Sequence, residues 1–400
     1  MIRFTTAGES HGRALVAILE GVPAGLPLLA SDVDADLSRR MQGHGRGARM
    51  KIEADRVQLL SGIRAGATLG SPIALLIENR DFEHWRDVMA AEPAAEPLRR
   101  RVTRPRPGHA DLAGMLKYDR TDARDILERA SARETAARVA AGAVCRRLLA
   151  AFGVEIGSHV VALGGVVARL PQPLPVPLNA AADRSSVRCL DPAASQDMIA
   201  RIDAAKDAGD TLGGIVEIVA RDVVVGVGSH VSWDRRLDGR LAAALMSIPA
   251  VKGVEVGLGF ALGGLPGSAA HDEIVRVEGE SVARTGGFRR TTNRAGGLEG
   301  GMTTGEPLVL RVAMKPISTL MRPLQSVDLE SGQPAAAQSE RSDVTAVPAL
   351  GVIAEAAVAL SLAGAYAEKF GGDSVAEMRR NFDGYVAQLE RRRAGWEPLD

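Results

Sequence analysis

His11 lies in Gly8-Glu9-Ser10-His11-Gly12-Arg13, and His109 lies in Arg104-Pro105-Arg106-Pro107-Gly108-His109-Ala110-Asp111. Imidazole titrates nearest neutrality, so it can give or take a proton at cellular pH. The guanidinium is a planar fork suited to oxyanions. Proton donors beside such forks point to an enzyme acting on a phosphate or carboxylate substrate. Only seven histidines occur in 400 residues, so two in such similar company stand out. Glycines on either side of His11 let backbone approach a ligand closely, and two X-Pro steps stiffen the approach to His109. Each histidine also has a plain structural reading, as a turn residue bonded within its loop. As a pair they can divide donor and acceptor roles.

Arg40, Arg46, Arg104, Arg106, Arg129, Arg133 and Arg341 are candidate oxyanion clamps. Arg129 and Arg133 differ from an ordinary surface arginine because they flank Ser131, where a buried helix is predicted to start. A helix N-terminus with a hydroxyl and an arginine favours an anion, although Ser131 reads equally well as an N-cap. Asp343, two residues from Arg341, reads as an ion-pair partner or as a base. Gly296-Gly297-Leu298-Glu299-Gly300-Gly301 matches neither a Walker A loop nor GxGxxG. No HExxH, EF-hand or Cys/His metal pattern occurs.

Several elements must position these groups. Ile2 to Thr6 and Ala14 to Leu19 read as strands around the His11 motif, and Val57 to Leu60 and Pro72 to Ile77 as two more. Ser31 to Met41 reads as a helix with a capping-box-like start at Ser31 and Asp34. Residues 80–108 read as a long loop, and loops this long are usually functional or disordered. Ser131-Ala132-Arg133-Glu134 is a second capping-box pattern, opening an alanine-rich helix to Phe152 that Gly153 stops. Asp191-Pro192 opens a helix ending near Gly209. A strand-like run passes through Ile215, Val219 and Val223, and Leu237 to Ser247 is a helix ended by Pro249. Residues 253–305 read as a glycine-rich stretch, Leu308 to Met314 as a strand, and Ala349 to Phe370 as the last long helix. Glu128-Arg129-Ala130-Ser131 and Glu340-Arg341-Ser342-Asp343 precede the two long helices, and both helices end in Phe-Gly. This reads as an internal duplication, though so short a likeness also arises by chance. The pattern favours one α+β domain over residues 1–400.

Bulk properties narrow the function. Forty-nine basic residues balance forty-nine acidic ones, so no global field draws in a polyanion. Thirteen aromatics are too few for stacking platforms along a single strand. An RNA-binding role for the arginine-rich segments 39–49 and 99–106 is therefore disfavoured. Two cysteines make no disulfide framework, and the first thirteen residues lack a signal-peptide pattern. Both fit a cytoplasmic protein. The apolar run 344–370 reads as a buried helix rather than a membrane span.

The chain closely resembles the chorismate synthase family. The resemblance rests on Gly8 to Arg13; on Glu128-Arg129-Ala130-Ser131-Ala132-Arg133-Glu134-Thr135; and on Arg341-Ser342-Asp343-Val344 leading into Glu355. Arg106 to Asp111, Val251-Lys252-Gly253-Val254-Glu255, Asn293 to Gly301 and Lys315-Pro316-Ile317-Ser318-Thr319 also match. It extends from Arg3 to about Asn381, with no usable landmark between 166 and 186. It implies a central layer of long helices sandwiched between antiparallel β-sheets, with an internal pseudo-twofold repeat, assembled as a homotetramer. It implies an anti-1,4-elimination of phosphate from 5-enolpyruvylshikimate 3-phosphate that needs reduced FMN without net redox change.

By the same resemblance, His11 protonates departing phosphate, His109 manages the charge of the reduced flavin, and Asp343 relays the substrate proton. Ser10 and Ser131 hydrogen-bond within that network. Arg129, Ala130, Ser131, Pro249, Ala250, Gly300, Lys315, Pro316, Ile317, Ser318, Thr319 and Arg341 match FMN-contact positions. Arg40, Arg46 and Arg133 match positions for substrate anions or NADPH. Whether NADPH or an outside reductant reduces the flavin stays open. A flavin reductase would share the flavin contacts without needing the paired histidines beside arginines.

Overall fold

The computed structural model describes residues 2–47, 54–93, 100–277, 284–340 and 342–394. In chain order the main elements are β1 (Arg3–Ala7), β2 (Ala14–Glu20), α1 (Ala30–Met41), β3 (Val57–Leu59), β4 (Ile73–Glu78), α2 (Asp111–Tyr118) and α3 (Arg124–Ala130). These are followed by α4 (Thr135–Ala151), β5 (Glu155–Leu163), β6 (Val166–Val167), α5 (Pro192–Asp207), β7 (Gly214–Arg221) and α6 (Leu237–Met246). The last are β8 (Val251–Val256), β9 (Leu308–Met314), α7 (Val347–Phe370) and α8 (Val375–Ala394).

Two antiparallel sheets enclose the helices. The first has the order β1-β2-β4-β3 and the second β8-β9-β7-β5-β6. Helix α4 lies on the first sheet and α7 on the second, α4 and α7 pack on each other, and α1 packs against both. The expected α+β sandwich with a helical centre is thus observed. The alanines of α4 favour helix, and small residues let it approach α7 closely. A Cβ on Gly142 would lie 2.6 Å from Ala356 Cα, so this crossing has room only for glycine. Helix α7 is apolar and long enough to cross a bilayer, but its most apolar stretch is 89% buried between the sheet and its helical neighbours. That makes it a core helix.

Several boundaries differ from expectation, each for a local reason. Helix α1 starts at Ala30 because Asp32 Oδ2, not Asp34, takes the Leu29 N–H at 2.8 Å. Asp34 instead accepts from Val57 N and ties the helix to β3. Ser131 does cap its helix, accepting from Arg133 N at 3.3 Å, but the first turn (Ala132–Glu134) is 3-10. Glu134 leaves the capping box open because Thr6 Oγ1 and Arg138 Nε occupy it. Residues 80–84 form a 3-10 turn inside the expected loop. The glycine-rich stretch begins inside β8, whose register shifts between Val251 and Gly253.

Candidate active site

Strands β1 and β2 pair from Arg3↔Glu20 to Ala7↔Val16, so residues 8–13 form the turn that carries His11. Gly8 has φ +102°, and a Cβ there would lie 2.2 Å from Ala14 O, so the turn closes only on glycine. Asn79 holds it from behind, its Nδ2 donating to Glu9 O (3.0 Å) and Gly12 O (2.8 Å). Glu128 Oε2 accepts from the His11 backbone N–H at 3.0 Å, and both of its oxygens lie 2.9–3.0 Å from His11 Nδ1. The Trp85 ring stacks on the imidazole at 3.9 Å and 20°. His11 Nε2 lies 3.9 Å from Asp81 Oδ2. Burial works to raise the Glu128 carboxyl, but the hydrogen bond and charge of His11, with Arg124, hold it below its ordinary value. Ser131 Oγ donates to Ser10 Oγ at 3.2 Å.

Ser131 also faces a cleft of about 550 Å³ lined by Phe4, Thr6, Arg129, Ala130, Arg138, Ser247 and Pro249, among others. Arg129 donates to Thr6 O, Thr6 Oγ1 and Gly8 O, yet 42% of its side chain remains exposed. Next to Pro249, Ala250 adopts a left-handed φ of 68°, and its carbonyl accepts from Lys315 N at 3.0 Å. This joins the segment 249–250 to Lys315–Thr319. Burial, and then the charge of Lys252, push the Lys315 ammonium below its ordinary value.

The His109 loop docks on that same segment. Lys315 Nζ donates to Gly108 O at 2.5 Å, and Arg106 Nη1 to Thr319 Oγ1 at 2.9 Å. Asp111, fully buried, accepts from Arg106 N, Nε and Nη2 and lies 2.5 Å from His109 Nδ1. Burial opposes its ionisation, but His109 and Arg106 hold the carboxyl well below the usual range.

A second group of arginines lies between α1 and the start of α4. Arg40 donates to Thr135 Oγ1 and Ala132 O, and its Nη1 lies 3.4 Å from Asp55 Oδ2. Arg133 Nη1 donates to Asp55 Oδ1 at 2.6 Å, and its Nε to Asn79 Oδ1 at 2.9 Å. Burial pulls the Arg40 guanidinium down to about 9, against the pull of Asp55. Nearby, Asp343 accepts from Gly47 N at 2.6 Å and pairs with Arg46 Nη1 at 3.1 Å.

The fold therefore brings Ser10, His11, Ser131, Arg129, Ala130, Pro249, Ala250, His109 and Lys315–Thr319 into one connected region. Arg133 is linked to it through Asn79. Gly300 is not part of it. It sits on the hairpin Leu298–Thr303, where Gly301 O caps Leu237 N at the start of α6, whereas Pro249 follows the other end of that helix. At 1.5 Å per residue, α6 separates the two by about 15 Å. Arg341 lies outside the described residues. Arg104 is exposed, its Nη2 reaching Gln338 Oε1 at 3.4 Å. Sequence reasoning gave no role to Glu128, Trp85 or Asp55. The only signal for Glu128 was its place in the Glu-Arg-Ala-Ser segment, and nothing local marked the other two.

A family profile described as chorismate synthase matches residues 2–367. The chorismate synthase of Symbiobacterium thermophilum is 58% identical over 400 residues, covering 98% of this chain and all of that one. That of Pelobacter propionicus is 55% identical over 390 residues, with 97% and 99% covered. A crystal structure of a chorismate synthase superposes with a TM-score of 0.77 at 41% identity, covering 98% of each chain. On the strength of these matches and of the site just described, the chain belongs to the chorismate synthase family, carbon–oxygen lyases of aromatic amino acid biosynthesis.

Proposed function

We propose that this lyase eliminates phosphate from 5-enolpyruvylshikimate 3-phosphate in the anti-1,4 sense to give chorismate, using reduced FMN without net redox change. The observation that carries the reading is the Ser131–Ser10 hydrogen bond, which links the cleft to the turn holding His11. The cleft fits the cofactor chemically. Its volume lies within the roughly 300–1,000 Å³ of small-molecule sites. Arg129 and Arg138 suit an anionic phosphate and outnumber Glu134, the lining carboxylate that Arg138 pairs at 2.9 Å, while Ser131 and Ser247 offer hydroxyls, and Phe4 and Pro249 supply apolar wall. Arg129, Ala130, Ser131, Pro249, Ala250 and Lys315–Thr319 would hold reduced FMN. When bound, that group supplies transient electron density as the C–O bond to phosphate breaks.

The protein's own groups move protons and balance charge. His11 gives a proton to the departing phosphate, a dianion that leaves more easily when protonated. His109, backed by Asp111, compensates negative charge beside Lys315. Asp343 takes the substrate proton; its oxygens accept from Gly47 and Arg46 but retain lone-pair capacity. Arg40, Arg46 and Arg133 serve the substrate's phosphate and two carboxylates, or the phosphate of NADPH where that is the reductant. The enzyme works as a cytoplasmic homotetramer.

The test is anaerobic turnover with chemically reduced FMN. Stoichiometric chorismate and phosphate without net flavin oxidation support the reading. Folded, FMN-loaded protein that makes no chorismate overturns it. His11→Ala and His109→Ala are each expected to lower kcat by about 10²–10⁴-fold while changing FMN affinity far less. Parallel losses of turnover and affinity would refute the proton-handling roles.

A further inference from the structure

Three restraints converge on one imidazole. Glu128 chelates His11, taking its backbone N–H on Oε2 while both oxygens face Nδ1 at 2.9–3.0 Å. Trp85 covers the ring face, and is itself stacked by the guanidiniums of Arg100 (4.1 Å) and Arg124 (5.0 Å). Arg124, one helical turn before Glu128, donates Nη1 to Glu128 Oε1 at 2.8 Å and Nε to Arg100 O at 2.8 Å. Arg124 also reaches Glu340 Oε1 with Nη2 at 3.2 Å, so it is shared between two carboxylates, but its donor and charge beside Glu128 keep that group an acceptor. Asp81, from the 3-10 turn, places a carboxylate oxygen 3.9 Å from Nε2. Which nitrogen of a histidine keeps its proton is set by the bond the other makes.

We infer that Glu128 is the positioning residue for proton delivery: it keeps the Nδ1 proton in place, so that Nε2 is the nitrogen that gives its proton to the leaving phosphate. The inference rests on the reading of His11 as the proton donor. In the step itself, the Nε2–H bond breaks as an O–H bond forms on phosphate. The imidazole is left neutral, with its remaining proton shared with Glu128. Trp85 fixes the ring plane so that this proton leaves along one direction.

The test combines spectroscopy of the parent enzyme with a mutant cycle. In ¹⁵N-histidine NMR at alkaline pH, neutral His11 is expected as the Nδ1–H tautomer; finding Nε2–H there would overturn the inference without any variant. Glu128→Gln keeps the shape but lets an amide N–H face Nδ1. It is expected to lower kcat by about 10²-fold or more, up to the roughly 10²–10⁴-fold of a general acid. KM and FMN affinity should stay near the parent values, and the alkaline limb of the pH–kcat profile, which reports loss of the donor's proton, should shift. Because Glu128 acts through His11, the Glu128→Gln/His11→Ala double variant should turn over no more slowly than His11→Ala alone. Multiplicative losses, or a fully active Glu128→Gln, would sink the inference while leaving His11 as donor. A fully active His11→Ala would remove the donor reading itself, and the role of Glu128 with it.

Discussion

Replacing Asp55 with Asn tests how the arginine cluster is held. Asp55 accepts from Arg133 at 2.6 Å and faces Arg40 at 3.4 Å, with the carboxylate fully buried and the two arginine side chains 3% and 5% exposed. An exposed pair of this kind would contribute about 0–1 kcal/mol. Removing one partner of a buried pair leaves a charge without its counter-ion and costs about 3–5 kcal/mol. Here one carboxylate serves two guanidiniums, so that range applies. For 400 residues, at ~2.1 cal/mol/K per residue, the unfolding entropy is about 0.84 kcal/mol/K, which converts 3–5 kcal/mol into a fall in Tm of about 4–6 °C. The effect should also reach the site. Arg133 Nε holds Asn79, and Asn79 holds the carbonyls on both sides of His11. Differential scanning calorimetry and steady-state kinetics on Asp55→Asn should therefore show a lower Tm together with a raised KM. A Tm within about 1 °C of the parent, the shift of a surface pair, would refute the argument that Asp55 is the buried counter-ion.

The remaining predictions concern the core. Gly142→Ala places a Cβ 2.4 Å from Ala356 Cβ and 2.9 Å from its carbonyl oxygen, so overpacking should cost about 1–3 kcal/mol; urea unfolding should show it, and Ala356→Gly in the same chain should restore part of the loss. Burial works to raise the Glu355 carboxyl, but Arg39, Arg146 and Arg188 hold it far below its ordinary 4.5. Because the folded value is the lower one, its contribution is complete above about pH 4.5 and is lost as pH falls below that; urea midpoints should drop on acidification, with a shallower slope in Glu355→Gln. Burial pushes the Cys145 thiol up to about 12 and also raises Cys189. Neither should react with iodoacetamide in the native protein at about pH 8, and both should react in urea, since the thiolate is the nucleophile.

Local patterns were legible where they act locally. Strand β9 reads correctly from end to end because its alternation survives as alternating burial. The long helix α7 reads from composition and its glycine stop. Strand β5 was missed because nearly all of it is buried on both faces, which removes the period-2 signal. Helix α8 was missed although Val375, Met378, Phe382, Tyr385 and Leu389 share a face and pack on the core. Within the site, the His11 turn and the Ser131 cap were visible as glycines, a hydroxyl and charges in sequence. Glu128 was not, because its partner is 117 residues away, and a glutamate one turn after an arginine is an ordinary helix pair. Asp55 likewise meets Arg133 across 78 residues. Such pairings follow from the sandwich, which sets the turn between β1 and β2 against the start of α4.

The same pairings bear on how a chain of zero net charge would handle the multiply anionic substrate proposed for it. Arg133 and Arg40 meet Asp55, Arg106 meets Asp111, Arg124 meets Glu128 and Arg46 meets Asp343. Each cation is fixed by a carboxylate; Asp111 and Glu128 lie within five residues of their arginines, whereas Asp343 meets Arg46, and Asp55 meets Arg133, from distant parts of the chain. A guanidinium has five N–H donors in a rigid plane, so a carboxylate can fix its orientation while some donors still point elsewhere. Attraction here is local and directional, not a long-range field that would draw in any polyanion. A substrate anion in such a site meets donors already aimed. The carboxylates that aim them also prevent the closely set cations from repelling one another when the site is empty. The arrangement at His11 is of the same kind, with a carboxylate held by an arginine fixing the proposed proton donor. Glu128 stands to the imidazole as Asp55 stands to Arg133, and this is why its removal should be felt in proton transfer before it is felt in binding.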